Sequence, residues 1–370
     1  MRIVVCGDEH LGYRQYGLIE RENDFLSALW DIVISCNDKI KSVGAIIKTG
    51  DLFNTSKPVG DLVYKAKIAM EPFTTYGIDG NHDISEGNWL KLCGIRPLNK
   101  KVELILRPNF AEPIRVAGLN WTRPALFMDT FNEFVASLPA NTKIDIFVLH
   151  QLLDEFVPHI QNQMSGIAIA EKLRPLGVKV VIMGDLHEAV DMEIGGIKFI
   201  YTGSTEVNSL SEKYDKSFVI LDVSDDEEKK ITFQRYPINT RPFVHKFIQT
   251  EKDLDELLVQ HVNAPVDRQP FLLLEYDNEG KALAMRAEEI LKGKALFRLI
   301  PIVKNISKSL LDQLSTEGFE RTDAVGYLKK SITAFFKPET DEYQLILQLL
   351  ETPEEVDRII TAYGKCKGLI

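Results

Sequence analysis

RIVVCGDEHLG, residues 2–12, opens on a short β-branched run and breaks at a glycine into a loop that carries Asp8 and His10. An apolar run of this length closed by a turn signal reads as a buried strand feeding a loop. The same grammar returns four times. AIIKTGD (45–51) delivers Asp51; TTYGIDGNHD (74–83) delivers Asn81 and His82 from a short strand and a turn at Gly80; IDIFVLHQ (144–151) ends on His150; VKVVIMGDLH (178–187) ends on Asp185 and His187. Between them, Phe25, Leu26, Leu29, Trp30, Val33 and Ile34 recur at spacings of three and four, which predicts an amphipathic helix from Glu20 to Asn37. A second helix is expected from Pro58 to about Pro72, and a third around Thr130 to Leu138, after strands near Val102–Leu106 and Ile114–Leu119. EIGGIKFIYTGS, KSFVILDV and KKITFQRYPI then read as antiparallel strands. Strands alternating with helices and closing in a β-rich stretch predict an α/β fold, a sandwich of two mixed sheets flanked by helices. Its candidate ligands gather at strand ends, where open α/β sheets place their sites.

This first domain is expected to span residues 1–240, with a boundary near Asn239–Pro242. HKFIQT, EKDLDELLVQHV, FLLLEYD, KALAMRAEEILKG and ALFRLIPIV follow in the order β-α-β-α-β, a small α+β domain over 241–305. Residues 306–370 carry only helical stripes, such as Ala324, Val325, Leu328, Ile332, Phe335 and Phe336. Short terminal helices separated by PETDE and ETPEE offer little core of their own, which suits docking to a partner.

With 370 residues and 45% hydrophobic content the chain can bury a large core. A net charge of −10 argues against a broadly basic nucleic-acid coat, because phosphate binding needs local Lys and Arg. Lys281, Arg286, Lys292, Lys294, Arg298, Lys304 and Lys308 form a local excess that reads either as a track for a nucleic-acid backbone or as a solvated helix face. The cysteines Cys6, Cys36, Cys93 and Cys366 contain no CxxC pair, the usage of a reducing compartment. MRIVVCGDEH lacks the features of a signal peptide, and no apolar run approaches the roughly 20 residues of a membrane span. An intracellular, cytoplasmic protein without a membrane anchor is expected.

The ordered set Asp8, His10, Asp51, Asn81, His150, Asp185 and His187 combines carboxylate, amide and imidazole donors, which suit Mn, Fe or Zn better than the all-oxygen sets of Mg or Ca. Two cations roughly 3.5 to 4 Å apart are what hydrolysis of an anionic phosphodiester requires: they neutralise its oxygens, acidify a water and stabilise the leaving alkoxide. No Walker loop or GxSxG elbow competes. His82, one residue out of phase with Asn81, is the candidate proton donor or transition-state stabiliser. Asp83 is expected to orient its loop and cap the next helix. Tyr13, Arg14 and Tyr16 could grip nucleic acid near the site or pack on the sheet edge.

DEHLG, GDLFNTS, GNHD, LHQ and GDLHE, with YTGSTEVNSLSEKYDKSFVILDV and the Arg-Pro-Phe at 241–243, resemble the calcineurin-like metallophosphoesterase superfamily, and within it the SbcD-type nuclease subunit of the double-strand-break repair complex. The resemblance covers about residues 1–243; the α+β domain matches only in element order. It implies a first metal on Asp8, His10, Asp51 and His187 and a second on Asp51, Asn81, His150 and Asp185, with Asp51 bridging. Bridging suits a carboxylate, which has two oxygens where imidazole offers one lone pair. It further implies a Mn-dependent DNA exonuclease and endonuclease, with Mg as an alternative ion and a cap domain facing DNA. The C-terminal region would bind an SMC-like ABC ATPase, and the helices near Leu62–Met70 and Trp89–Leu92 would form a homodimer. Two positions depart from the family's pattern. Asp185 stands where His is usual, giving a harder second site, and Asn54 stands where a second His near the substrate phosphate is common. The rivals are a phosphomonoesterase or cyclic-nucleotide phosphodiesterase of the same superfamily, and a non-catalytic DNA-end scaffold. GDLFNTS lacks the Arg of the phosphoprotein-phosphatase string GDxxDRG.

Overall fold

The computed structural model describes residues 1–84, 87–107, 112–158, 164–209, 212–224, 230–261 and 269–301. The expected helical region over 306–370, with Lys304 and Lys308, lies outside them. The chain divides into two units, Met1–Ile300 and Pro301–Ile370.

The first part of the chain runs β1 (Arg2–Cys6), α1 (Ile19–Asp38), β2 (Val43–Lys48), α2 (Gly60–Met70), β3 (Thr75–Gly77), α3 (Trp89–Leu92) and β4 (Arg96–Pro97). It continues through β5 (Lys101–Ile105), β6 (Ile114–Gly118), α4 (Pro124–Ser137), β7 (Ile146–His150), α5 (Gly166–Leu173), β8 (Val180–Gly184), β9 (Asp191–Ile194) and β10 (Ile197–Tyr201). The last part is β11 (Ser217–Val223), β12 (Ile231–Pro237), β13 (Phe243–Ile248), α6 (Glu251–His261), β14 (Phe271–Tyr276), α7 (Lys281–Ile290) and β15 (Leu296–Pro301). Two helices begin elsewhere than expected. α2 starts at Gly60, two residues past Pro58, with Val59 as its N-cap; α4 starts at Pro124 rather than Thr130, where a proline at the first helical position forgoes only an N–H that has no helical partner anyway.

Two six-stranded mixed sheets form the sandwich, ordered β12-β11-β1-β2-β3-β4 and β5-β6-β7-β8-β10-β9. In the first, β1 to β4 run parallel, β11 pairs antiparallel with β1 and β12 antiparallel with β11; in the second, β6, β7, β8 and β10 run parallel, with β5 and β9 antiparallel at the edges. Strand β1 shows why its run is apolar throughout. Ile3 and Val5 face the second sheet among Ile47, Val148 and Ile182, while Val4 and Cys6 face α1 among Ala28, Ile32 and Cys36. The period of two thus feeds both faces, and each covered Val or Ile contributes roughly 1.5–3 kcal/mol. The helices α4 and α5 close the outer face of the second sheet through Phe127, Phe131, Ile169 and Leu173.

Residues 243–301 form a three-stranded sheet, β13-β14-β15, with α6 and α7 packed on one face through Leu254, Leu257, Ala284 and Ala287. Its other face sets Phe243, Phe271 and Leu273 against Val207, Tyr16 and Leu18 of the sandwich. At this junction Asp24 accepts from two arginines: Arg21 Nη1 at 2.8 Å, and Arg241 Nε and Nη2 at 2.6 and 2.8 Å. Arg21 is fully buried, donates also to Gln15, Glu206 and the Val207 carbonyl, and lies over the Phe25, Phe243 and Phe271 rings.

Candidate active site

Because β1 and β2 run parallel, as do β7 and β8, their C-terminal ends open onto one region. The β1 and β2 loops are laced by backbone bonds, Asp8 N–H to Gly50 O (2.9 Å) and His10 N–H to Asp51 O (3.0 Å). Four candidate ligands, Asp8, His10, Asp51 and Asp185, hold φ values of 52°, 44°, 51° and 85°. Left-handed backbone in non-glycine residues persists only where its surroundings enforce it, and it clusters at functional sites. Glycines make the room: a Cβ on Gly50 would strike the His150 ring and Gly80, and one on Gly80 would strike Asp51.

The expected ligands converge. Among the described residues Asp8, His10 and His187 form one group able to hold a cation, Asp8, Asp51 and His150 a second, and His10, Asp51 and His82 a third. Asp51 is common to two of them, its Oδ2 lying 3.4 Å from His150 Nε2 and 3.8 Å from His10 Nε2. His150 Nε2 also lies 3.1 Å from Asn81 Oδ1 and 3.9 Å from Asp185 Oδ1. His10 Nε2 and His187 Nε2 face each other at 3.1 Å. Bonds of about 2.1 Å to one ion place neighbouring donors roughly 3 Å apart. Asp8 Oδ2 is buried without a hydrogen-bond partner among the described residues, a condition that a bound cation relieves. The donor set therefore fits divalent cations.

Its electrostatics suit the same purpose. Burial holds His10 neutral, pushing its pKa down to about 3. Against burial, the charge and hydrogen bond of His150 hold Asp51 below the usual carboxylate range, and Asp51 in turn raises His150. His150 Nδ1 donates to the Thr49 carbonyl at 2.8 Å, which leaves Nε2 turned toward Asp51.

His82 is held by its backbone N–H, which donates to Asp51 Oδ1 at 2.9 Å, and by its ring, whose Nδ1 lies 3.0 Å from the Asn54 carbonyl oxygen. Its ring meets that of His10 edge to face at 4.9 Å. Asn54 thus reaches the site through its main chain. Asp83 accepts from the N–H groups of Leu52, Phe53 and Gly80, which ties the Asp51 loop to the His82 loop. It does not cap α3, whose N-cap is Asn88, since all three bonds are spent on the loops. Tyr13 packs on Phe25 and Arg14 pairs with Glu22 at 2.7 Å, so both side chains turn to α1; Tyr16 stacks on Phe271. Of the basic segment, Arg286 pairs with Glu251 and Arg298 lies over Tyr16. A cleft of about 720 Å³ opens beside Asp185 and His187, walled by Phe156, Val157 and Met192.

Two features escape sequence reasoning. Glu9, between Asp8 and His10, and Lys48, at the end of β2, form a buried ion pair (2.5 Å), with Cys6 Sγ 3.2 Å from the ammonium. Glu212 accepts from His187 Nδ1 at 2.9 Å. The signal for Glu212 was chemical: a liganding imidazole needs a partner for its other nitrogen.

Among the described residues no helix is long and apolar enough to cross a membrane. The DNA double-strand break repair protein Mre11 of Methanosarcina mazei is 28% identical over 80% of this chain and 48% of its own length. That of Methanococcus maripaludis is 26% identical over 74% of this chain and 77% of its own. That of Saccharolobus solfataricus is 25% identical over 100% of this chain and 99% of its own. The chain spans about half the length of the Methanosarcina relatives. The family model of the calcineurin-like phosphoesterase superfamily domain matches residues 1–226, from β1 through β11 and so all of the sandwich strands but β12, and the chain belongs to that superfamily.

Proposed function

We propose that the chain is a Mn-dependent DNA nuclease subunit that hydrolyses phosphodiesters in end processing and repair, cutting duplex ends as a 3′–5′ exonuclease and single strands as an endonuclease. The observation that carries this reading is Asp51, placed between His10 and His150 with its Oδ2 toward both. Asp8, His10, Asp51 and His187 would hold one ion and Asp51, Asn81, His150 and Asp185 the other. Bound there, two cations would supply charge neutralisation of the phosphodiester oxygens and a lowered pKa for the attacking water.

The chain's own part is orientation and proton traffic. His82 Nδ1, held by the Asn54 carbonyl, leaves Nε2 to assist the leaving alkoxide. Asp83 keeps the two loops in register, and the open cleft beside Asp185 admits a strand. The similarity to Mre11 proteins of DNA repair favours DNA over small phosphoesters. Purified chain with Mn should cleave labelled duplex and single-stranded DNA and bis-p-nitrophenyl phosphate, and Asp51→Asn should abolish all three. Cleavage of phosphomonoesters alone would refute the nuclease reading.

The partner reading extends this proposal: residues 306–370 dock an SMC-like ABC ATPase, and the exposed Val59, Tyr64 and Leu92 around α2 and α3 mediate a homodimer. A chain ending at Asn305 should still cleave the small diester yet fail to bind that ATPase; unchanged ATPase binding would refute the docking role. Tyr64→Glu should shift the full chain to a monomer in sedimentation, and an unchanged dimer would exclude this face.

A further inference from the structure

Glu212 lies outside every string read as a ligand, yet its carboxylate is fully engaged. Oε1 accepts from His187 Nδ1 at 2.9 Å; Oε2 accepts from Lys216 Nζ (2.6 Å), Ser204 Oγ (3.1 Å) and the Asn208 N–H (3.1 Å). Asn208 Nδ2 also lies 3.3 Å from His187 Nδ1. The carboxylate can only accept and is the nearer partner, so Nδ1 carries the proton and Nε2 the lone pair.

That Nε2 lies 3.1 Å from His10 Nε2 and 3.9 Å from Asp8 Oδ1. Of this group His187 is the least held by packing, with a side chain 29% exposed against 0% for Asp8 and 5% for His10. Ring orientation must therefore come from a specific bond. Burying a Lys–Glu pair costs several kcal/mol per ion, and an apolar pair could brace the start of β11 as well. What the charged pair adds is a fixed acceptor aimed at one ring nitrogen.

We propose that Glu212 is a positioning residue for the metal centre, holding His187 in the Nδ1–H tautomer with Nε2 turned toward Asp8 and His10, and that Lys216 holds Glu212 in turn. The functional consequence rests on the proposed metal-dependent reading; the tautomer does not. The arrangement is the carboxylate–histidine pairing that orients a liganding imidazole and raises its basicity. Its Oε2 partners, Ser204, Asn208 and Lys216, anchor the carboxylate to segments on both sides of it.

The test uses the full chain without DNA. Titration calorimetry with Mn measures affinity, ¹⁵N spectra of the metal-free protein at alkaline pH report the His187 tautomer, and thermal unfolding reports the fold. Glu212→Ala should weaken one of the two Mn sites roughly 10–100-fold and let His187 populate both tautomers. Glu212→Gln, which keeps an acceptor for Nδ1–H, should retain the tautomer and lose less affinity. A folded Glu212→Ala with the wild-type tautomer and wild-type Mn affinity would make Glu212 a structural brace and overturn the proposal, as would a lower Tm with affinity and tautomer intact. If Glu212→Ala does not fold, Glu212→Asp, one carbon too short to reach, is judged by the same two readouts. A wild-type chain that binds no Mn would sink the nuclease reading instead, leaving the tautomer to decide on Glu212.

Discussion

Asp51 and His82 are joined through the main chain: the His82 N–H donates to Asp51 Oδ1 at 2.9 Å, while Asp51 Oδ2 points to His10 and His150. One carboxylate thus serves the donor cluster with one oxygen and places the neighbouring imidazole with the other. His82 comes to the same place whether or not its ring touches an ion.

From this follows the first prediction. His82→Ala leaves the backbone bond to Asp51 in place, so both Mn ions should still bind in calorimetry while diester cleavage falls roughly 100-fold or more, the usual scale for an acid–base group. Loss of one ion together with activity would move His82 into the ligand set.

Asp185 gives the second. The group around His150 counts oxygen donors from Asp51, Asn81 and Asp185 against one imidazole, whereas the other holds His10 and His187. Asp185→His should shift the preference from Mn and Mg toward Co and Zn, following donor softness. Asp185→Ala should weaken one ion by more than the roughly 10–100-fold that losing an outer partner costs. Two sites of wild-type affinity in Asp185→Ala would remove Asp185 from the ligands.

The candidate ligands at strand ends are legible because each follows an apolar run, most of them closed by a glycine, local signals that a linear reading detects. Asp51 and Asp185 follow glycines whose Cβ would collide with the His150 ring, so pattern and packing coincide there. The partners of those ligands were not legible. Glu9, Lys48, Arg21 and Glu212 are single charged letters, and their pairing depends on strands and loops far apart in sequence. For Arg14 and Tyr13 residue type leaves a grip on nucleic acid and packing both open, and only the structure shows the nearest acceptor and ring, Glu22 and Phe25, on α1. The β-α-β-α-β order after Pro242 is readable from periodicity, but its seating through Asp24, shared by Arg21 and Arg241, is not.

The Glu9–Lys48 pair supports a stability prediction. Both groups are buried, so Lys48→Met alone strands a carboxylate and should cost about 3–5 kcal/mol in urea unfolding. Glu9→Gln with Lys48→Met removes both charges and should recover most of that loss. A double variant as unstable as Lys48→Met would show that the pair's charges are not what the interior opposes.

The last prediction concerns protons displaced by metal. Burial opposes the charged forms of His150 and His187, yet Asp51 raises the pKa of the first, and the hydrogen bond from Glu212 and the charge of Asp8 raise that of the second. A raised imidazole pKa means that the metal-free ring keeps its proton to higher pH, and ligation requires the neutral ring, so metal must expel what the site holds. The sign follows: Mn affinity should rise with pH through neutrality, by roughly tenfold per pH unit for each proton released. Calorimetry in two buffers of different ionisation enthalpy should find at least one proton released per chain near pH 7. A titration with no buffer dependence, and an affinity flat from about pH 6 to 8, would mean that these rings are already neutral and that Asp51 does not raise His150 as its 3.4 Å approach implies.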